Sequence, residues 1–319
     1  TIKGVKGLTS KEKIPENIVK GMLRHKNGIS VFRDGTVRFD MVDMTLTHFK
    51  PAEIGLSVEK AKELGYTHDH LGMKLTRPEQ ICELRAQDFI APTQLKDQLV
   101  KTANFMDELL VKLYHQKPFY ELKDASDLIG HLFATLAPHT SGAILCRMIG
   151  FCDIKGGYFH PYSIAGRRRN SDGDIDSIIL LLDCILNFSR TFLSEYRGGQ
   201  MDAPLILTTK INPAEIDKEA LNIDTAFHYT EEAYMQTESF VNPKDLKSVF
   251  AEDFLGTEKQ FEGFGFTHDT KDVGESPKEN PYTALNSMRE KVDAQFKLGA
   301  LLYGVDNEDQ SSRLLDRHL

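Results

Sequence analysis

The amino-acid sequence predicts an α+β fold, and three observations carry that reading. Short apolar runs bounded by Gly, Pro and Asp, over residues 29–39, 87–91, 143–169 and 205–211, read as strands and turns. The stretch TQLKDQLVKTANFMDELLVKLYHQ places Leu95, Leu99, Ala103, Met106, Leu110 and Leu113 at spacings of three and four, a helical core stripe. The C-terminal part, from about residue 282, reads as helix again.

Taken in order, the segment up to about residue 20 is mixed and polar, with a break at Pro15, and no element is assigned to it. ISVFRDGTVRF reads as a hairpin with Asp34 and Gly35 at the turn and Ile29, Phe32, Val37 and Phe39 as its apolar side chains. Pro51 precedes a helix over about 57–64 that Gly65 ends. In GYTHDHLG, His68 and His70 flank Asp69, but no third ligand is spaced to complete a metal site, so they read as ordinary loop histidines. A strand over 87–91 stops at Pro92, the long helix follows, and a further helix is expected over 126–136 with Ser126 and Asp127 at its start.

Pro138 and Gly142 frame His139, Thr140 and Ser141; His139 either satisfies a turn or stands near phosphate. AILCRMIGF and GYFHPYSIAG read as two β segments separated by a turn at Lys155, Gly156 and Gly157, and the second leads through an acidic loop into a helix expected over 177–188. After the glycine break in GGQMDAPLILTTKI comes a strand over 205–211, read as core. Beyond Asn212 the signals are weaker: turn and short helix, a helix after Pro243, a glycine-rich hairpin and mobile connection over 255–281, and helices over 282–303 and from 307 whose charges face solvent. FTHD recurs loosely, as YTHD at Tyr66 to Asp69 and FTHD at Phe266 to Asp269, without a wider repeat.

Composition bounds the function. The chain has 319 residues, 40% hydrophobic and 27% charged, enough for one large or two ordinary domains with a sizeable core. It has no run of 18 apolar residues and no secretory pattern, so neither a membrane partner nor export is expected, and a cytoplasmic location is the default. Cys82, Cys146, Cys152 and Cys184 are scattered and read as reduced and structural, with no zinc site. Starting at Thr1 and ending in the amphipathic SSRLLDRHL, the chain reads as a piece of something longer. A net charge of −8 argues against coating nucleic acid by bulk electrostatics. Basic charge is instead local, at Arg147, Lys155 and Arg167 to Arg169.

The stretch GRRRNSDGDIDSIILLLDCILNFSR concentrates the chemistry. Asp172, Asp174 and Asp176 recur at spacing two, so they share a face in a strand or converge in a tight loop, and a hard divalent cation is the usual remedy for their repulsion. Arg167, Arg168 and Arg169 before them suit a phosphate-bearing ligand. Three readings stay open on the spacing alone. One is a polar loop with a single Asp capping the helix. Another is a Ca²⁺-binding structural loop of EF-hand type, which fails at its sixth position, where Ser177 replaces glycine. The last is a two-metal nucleotidyl-transfer site. A non-catalytic DNA-clamping module with an occupied metal loop is the rival from another class.

With these residues in view, the chain resembles the large, catalytic subunit of the archaeal family D DNA polymerases. The segments that carry the likeness run in order through most of the chain: IPENIVKGMLRHKN, VFRDGTVRFD, LTHF, ELGYTHD, DLIGHLFATLAPHTSG, GYFHPYSIAGRRRNSDGDIDSIILLLDCILNFSR, RGGQMDAPLILTTKI and FTHDT. The resemblance implies a core of two double-psi β-barrels. Residues 1–200 would hold the second barrel with helical insertions and the acidic loop at 170–176, and 201–319 would complete the barrel and continue as helices.

The same resemblance implies Mg²⁺ as cofactor, Asp172 and Asp174 as metal-binding aspartates with Asn170 beside them, and Asp176 at an acidic position of open role. Arg167, Arg168, Arg169, Lys155 and His139 are the candidates for phosphate or nucleic acid. Arg167, Ser171 and Ile175 stand where the family pattern has Lys, Cys and Glu, and neither metal aspartate is touched by these departures. The implied partners are primer–template DNA, deoxynucleoside triphosphates, a small exonuclease subunit and, through parts outside this chain, a sliding clamp. The first barrel with its lysines and a cysteine-rich C-terminal segment are expected to lie outside this piece, so the piece alone is expected to be inactive. Thr1 fits either a truncated start or the residue after an excised intein.

Overall fold

In FDMVDMT the side chains alternate, Phe39, Met41 and Asp43 buried and Asp40 exposed, as a strand with one face in a core requires. The computed structural model describes residues 16–170, 173–190, 193, 196–210, 226, 228–242, 245, 250–263, 265, 272–274 and 284–318. The strands are β1 Phe39–Thr45, β2 His48–Phe49, β3 Cys82–Glu83, β4 Asp88–Pro92, β5 Leu132–Leu136, β6 Gly142–Cys152, β7 Gly156–Phe159, β8 Ile175–Leu180 and β9 Ile206–Thr208. Six of them form one ring. β1 pairs antiparallel with β8, β8 with β5 and β5 with β6; β6 runs parallel to β4, β4 antiparallel to β7, and β7 parallel to β1. Closure leaves no free sheet edge within the ring. β9 adds outside it, parallel to the start of β6, and β2 and β3 form a separate pair.

Apolar residues fill the ring. Phe89, Phe133 and Phe159 are fully buried, Phe89 stacked on Phe159 at 5.0 Å between centroids and set edge-on to Phe133 at 5.3 Å. Gly156 opens β7 because a Cβ there would meet the Val42 carbonyl oxygen at 2.5 Å. Outside the ring lie α1 Ile18–Lys26, α2 Val58–Glu63, α3 Lys96–Lys112, α4 Pro161–Gly166 and α5 Leu181–Asn187. α2 is followed by Gly65 at φ +99°, as the sequence predicts, and starts on the Ser57 side chain as its cap. α3 buries Leu99, Ala103 and Met106 as expected, but its stripe turns to Phe105 and Leu109, leaving Leu110 and Leu113 only partly covered. The four cysteines are buried and free.

Several expectations need correction. Residues 29–38 form a turn without strands: Asp34 accepts from the Thr36 N–H and hydroxyl, and the Val37 N–H donates to Asp183, so carboxylates take the groups a hairpin ladder would use. The helix expected over 126–136 is a single 3₁₀ turn, Ala125–Leu128, followed by Gly130 at φ +101° and then β5. The helix expected over 177–188 begins only at Leu181, because Ile175–Leu180 is a strand between β1 and β5. Both errors come from apolar runs buried on two sides, whose periodicity does not separate strand from helix. Finally, β9 is a short outer strand with Ile206 and Leu207 exposed rather than core, and Ile211 lies outside the described residues.

GYFHPYSIAG is strand only as far as Phe159. Pro161 then starts α4, with His160 as its cap, the ring Nδ1 accepting from the Tyr162 N–H at 3.1 Å. The helix expected after Pro243 and the FTHD segment fall largely outside the described residues, which do include a helix Glu231–Glu238. Residues 1–275 and 276–319 are two separate compact units, and the second holds helices Met288–Leu301 and Asn307–His318, close to the expected pair. No described helix is long and apolar enough to cross a membrane.

Phe89→Ala is expected to cost about 3–5 kcal/mol in urea unfolding, because it empties the centre of the ring. Burial, and then the charge of His48, pushes the His160 imidazole down to about 3 from an ordinary 6.5. The neutral ring therefore contributes stability above about pH 6.5 that is lost as pH falls toward 3. Asp183, which burial pushes up to about 6, acts in the opposite sense, so the measurement compares variants. The stability of the wild type relative to His160→Asn, which keeps a capping acceptor, should rise with pH across that window and level off above it.

Candidate catalytic cleft and its buried arginine

α4 ends at Gly166 and delivers three arginines to three different environments. Arg167 turns inward and is 2% exposed, its guanidinium 4.4 Å above the Phe159 ring. It pairs with Asp43 of β1 and, through Nε at 2.7 Å, with Asp176 of β8, and reaches the Thr135 and Ser163 hydroxyls at 3.3 Å each. Burial works against the guanidinium's charge, but Asp43 and Asp176 outweigh it and raise its pKa. Burial pushes the Asp43 carboxyl up to about 7: desolvation and the neighbouring Asp176 prevail over the Arg167 charge.

Arg168 sits at φ +60° and is exposed. Arg169 lies between Asp174 and Asp176, with Nη1 3.2 Å from Asp174 and Nε 2.8 Å from Asp176. Gly173, at φ +96°, turns the chain into β8, where the Asp174 carbonyl accepts from the Asp43 N–H at 2.8 Å. Asp174 and Asp176 therefore do not share a face. Asp176 points into the ring at 1% exposure, whereas the Asp174 side chain is 39% exposed.

Two clefts flank the loop between β5 and β6. One, about 570 Å³, is lined by Asp40, Asp174, Arg169, Ser177 and Asp202, among others. The second, about 560 Å³, is lined by Thr140, Ser141, Arg168, Thr208 and Lys210 among others, and no carboxylate contributes to it among the described residues. His139 borders both. Its backbone takes φ +60° and its N–H donates to the Asp202 carboxylate, while Arg33 pairs with the same group and the Asp202 N–H donates to the Thr140 carbonyl. One histidine thus stands between a hollow that holds all the lining carboxylates, together with Arg38 and Arg169, and a hollow with basic and hydroxyl side chains only as its charged and polar groups.

Of the residues singled out in the sequence, Asp174, Arg169 and His139 come together at the first cleft, and Arg168 and His139 at the second. Arg167 also borders the second, but its nitrogens face Asp43, Asp176 and two hydroxyls, the arrangement of an internal counter-ion. Asn170 is half-buried and Lys155 exposed in the β6–β7 turn, and neither lines these clefts. Asp172 lies outside the described residues. The sequence reading missed Asp40, Asp43, Asp202 and Lys210. Asp43 had a visible signal, a charge in phase with the apolar Phe39 and Met41 of its strand; Asp40, Asp202 and Lys210 had none, since only the fold brings them to the loop.

The first cleft offers hard oxygen donors of the kind Mg²⁺ takes. They are the Asp174 carboxylate, one oxygen of which has no hydrogen-bond partner among the described residues, and Asp40, which accepts from the Ser177 hydroxyl. Among the described residues no three His, Cys, Asp or Glu side chains are grouped as metal ligands. The donor chemistry of Asp174 and Asp40 fits the ion.

Known proteins match along the whole of this arrangement. The family model for the DNA polymerase II large subunit DP2, catalytic domain, matches residues 1–291. The chain is 51% identical over 320 residues to the DNA polymerase II large subunit of Archaeoglobus fulgidus, a match covering 100% of the chain and 28% of the relative. It is 49% identical over 319 residues to that of Methanocella arvoryzae, with 99% and 28% covered, and 48% identical over 320 residues to that of Pyrococcus furiosus, with 100% and 25% covered. The chain thus spans about a quarter of the length of these curated relatives, and it belongs to the family of the DNA polymerase II large subunit DP2 catalytic domain.

Proposed function

We propose that this chain is part of the catalytic core of a replicative DNA-directed DNA polymerase, and that nucleotidyl transfer to a primer 3′-hydroxyl takes place in the acidic cleft. The observation that carries the reading is Asp174: a half-exposed carboxylate lining a hollow, one oxygen held by Arg169 and the other without a partner among the described residues, beside a second hollow with basic and hydroxyl side chains. Asp172 and Asp174 would hold Mg²⁺, with Asn170 beside them and Asp40 as a further oxygen donor. Mg²⁺ supplies Lewis acidity that lowers the pKa of the primer hydroxyl and offsets charge on the triphosphate.

The chain's own residues do the rest. Arg168, Lys210 and His139 meet phosphate oxygens, and the Thr140, Ser141 and Thr208 hydroxyls offer further donors along the same wall. Asp176 and Arg167 stay inside the ring as a fixed pair, and Asp176 is support rather than ligand. The second double-psi barrel of a two-barrel core is supported by the closed ring of six strands with its two parallel pairings. On this reading residues 1–200 carry the barrel, and 201–319 complete it through β9 and continue as helices. The partners are primer–template DNA, deoxynucleoside triphosphates, a small subunit associated with 3′–5′ exonuclease activity and a sliding clamp, and the location is cytoplasmic.

In the complete polymerase, Asp172→Ala and Asp174→Ala should each lower primer extension by about 10²–10³-fold or more, with the thermal unfolding midpoint unchanged; extension at the wild-type rate by either variant overturns the assignment. Combined Arg168→Gln and Lys210→Gln should weaken primer–template binding. The slope of log affinity against log salt should then become shallower by about one for each phosphate no longer neutralised, as read by fluorescence anisotropy at several salt concentrations.

A further inference from the structure

We propose that Arg169 is a positioning residue that presents Asp174 to the cation, rather than a contact for substrate phosphate. This rests on the reading of the acidic cleft as a metal-dependent site. Three nitrogens of one planar guanidinium have three distinct partners. Nε donates to Asp176 Oδ1 at 2.8 Å, Nη2 donates to the Ile175 carbonyl at 2.9 Å, and Nη1 lies 3.2 Å from Asp174 Oδ2. The first two partners belong to β8, and Asp176 is itself held from the other side by Arg167. A rigid fork fixed at two points fixes its third.

Asp174, by contrast, stands just before the strand, after a glycine in the left-handed region, and its side chain has no other partner among the described residues. Arg169 therefore decides which of its oxygens is held, and leaves Oδ1 of this cleft-lining residue without a partner among the described residues. Asp176 acts through the same arginine. The motif's third carboxylate is thus a buried anchor for the residue that orients the second.

Charge and position make opposite forecasts, which gives the proposal a sign. A guanidinium this close to a cation site repels the cation, so deleting it weakens nothing and tightens metal binding if charge alone matters. A positioning residue weakens binding when removed, typically by about 10–100-fold for a partner that orients a metal ligand. Arg169→Lys keeps the charge but has no fork to span Asp176, Ile175 and Asp174, so it should behave like the deletion.

The test is Mn²⁺ binding to the complete polymerase by electron paramagnetic resonance, without DNA or nucleotide, alongside steady-state primer extension. Asp174→Asn identifies the site as the Mn²⁺ stoichiometry it removes. Arg169→Gln and Arg169→Lys are each expected to weaken binding at that site by about tenfold or more, with KM for the nucleotide nearly constant and kcat reduced at subsaturating metal. Unchanged or tighter Mn²⁺ binding in Arg169→Gln, with a raised nucleotide KM, overturns the positioning role and returns Arg169 to the phosphates. If Asp174→Asn removes no Mn²⁺, the metal reading of the cleft fails and this proposal with it.

Discussion

The structure turns on one buried cation. Arg167 leaves the end of α4, enters the ring of strands and binds carboxylates of β1 and β8 and a hydroxyl of β5. Those three strands are consecutive in the ring, so a single side chain fixes their relative heights at the place where the acidic loop emerges. Burying a guanidinium and two carboxylates carries a desolvation cost of several kcal/mol per ion, and removing any one member strands the others without compensation. The arrangement is tolerable because the guanidinium also lies on the Phe159 ring and reaches two hydroxyls, leaving few of its donors idle. Asp43 records the remaining tension in a carboxyl pushed up to about 7.

Much of this was legible in the sequence and some was not, for definable reasons. Features set by local chemistry came through: α2 with its Gly65 stop, the Pro92 end of β4, the long amphipathic α3 and the two C-terminal helices. Features set by the ring did not. LFATL and SIIL read as helix because both faces of each strand are buried, which erases the period-two signal, and only their pairing to neighbours on both sides makes them strands. The hairpin expected at Asp34 and Gly35 failed for a different reason. A carboxylate 146 positions further along the chain, that of Asp183, takes the Val37 N–H that the ladder needed, a pairing invisible to any local window.

Asp174 and Asp176 show how equally spaced residues can part in the fold. The spacing predicted either a common face in a strand or convergence in a tight loop. The chain instead changes from loop to strand between Asp174 and Asp176, and Asp176 turns inward to the two arginines while Ile175 beside it faces out. The three arginines separate in the same way: Arg167 follows α4 into the core, Arg168 takes a left-handed turn to the surface, and Arg169 returns over the start of β8. Sequence proximity gathered the charges, and backbone geometry divided them between support and surface.

That division explains how a chain of net charge −8 can address polyanions, as the proposed function requires. Total charge sets long-range behaviour, but beyond about 10 Å ionic screening removes most of it, and what a phosphate meets is the local wall. Here all the carboxylates that line the two hollows lie on one side of the loop carrying His139, with Arg38 and Arg169 among them, while Arg168 and Lys210 line the other side without a carboxylate among the described residues, and Asp202 holds that loop by the His139 N–H. A substrate bearing both a hydroxyl to be activated and phosphates to be neutralised needs such a boundary, because carboxylates that gather a cation repel the phosphates unless cations, metal or side-chain, stand between them. Asp202 lies far along the chain from the His139 loop and β9 joins the ring only at its margin, yet both fix the loop on which the two charges meet. Asp202, Thr208 and Lys210 are therefore as much a part of these hollows as Arg169 and Asp174.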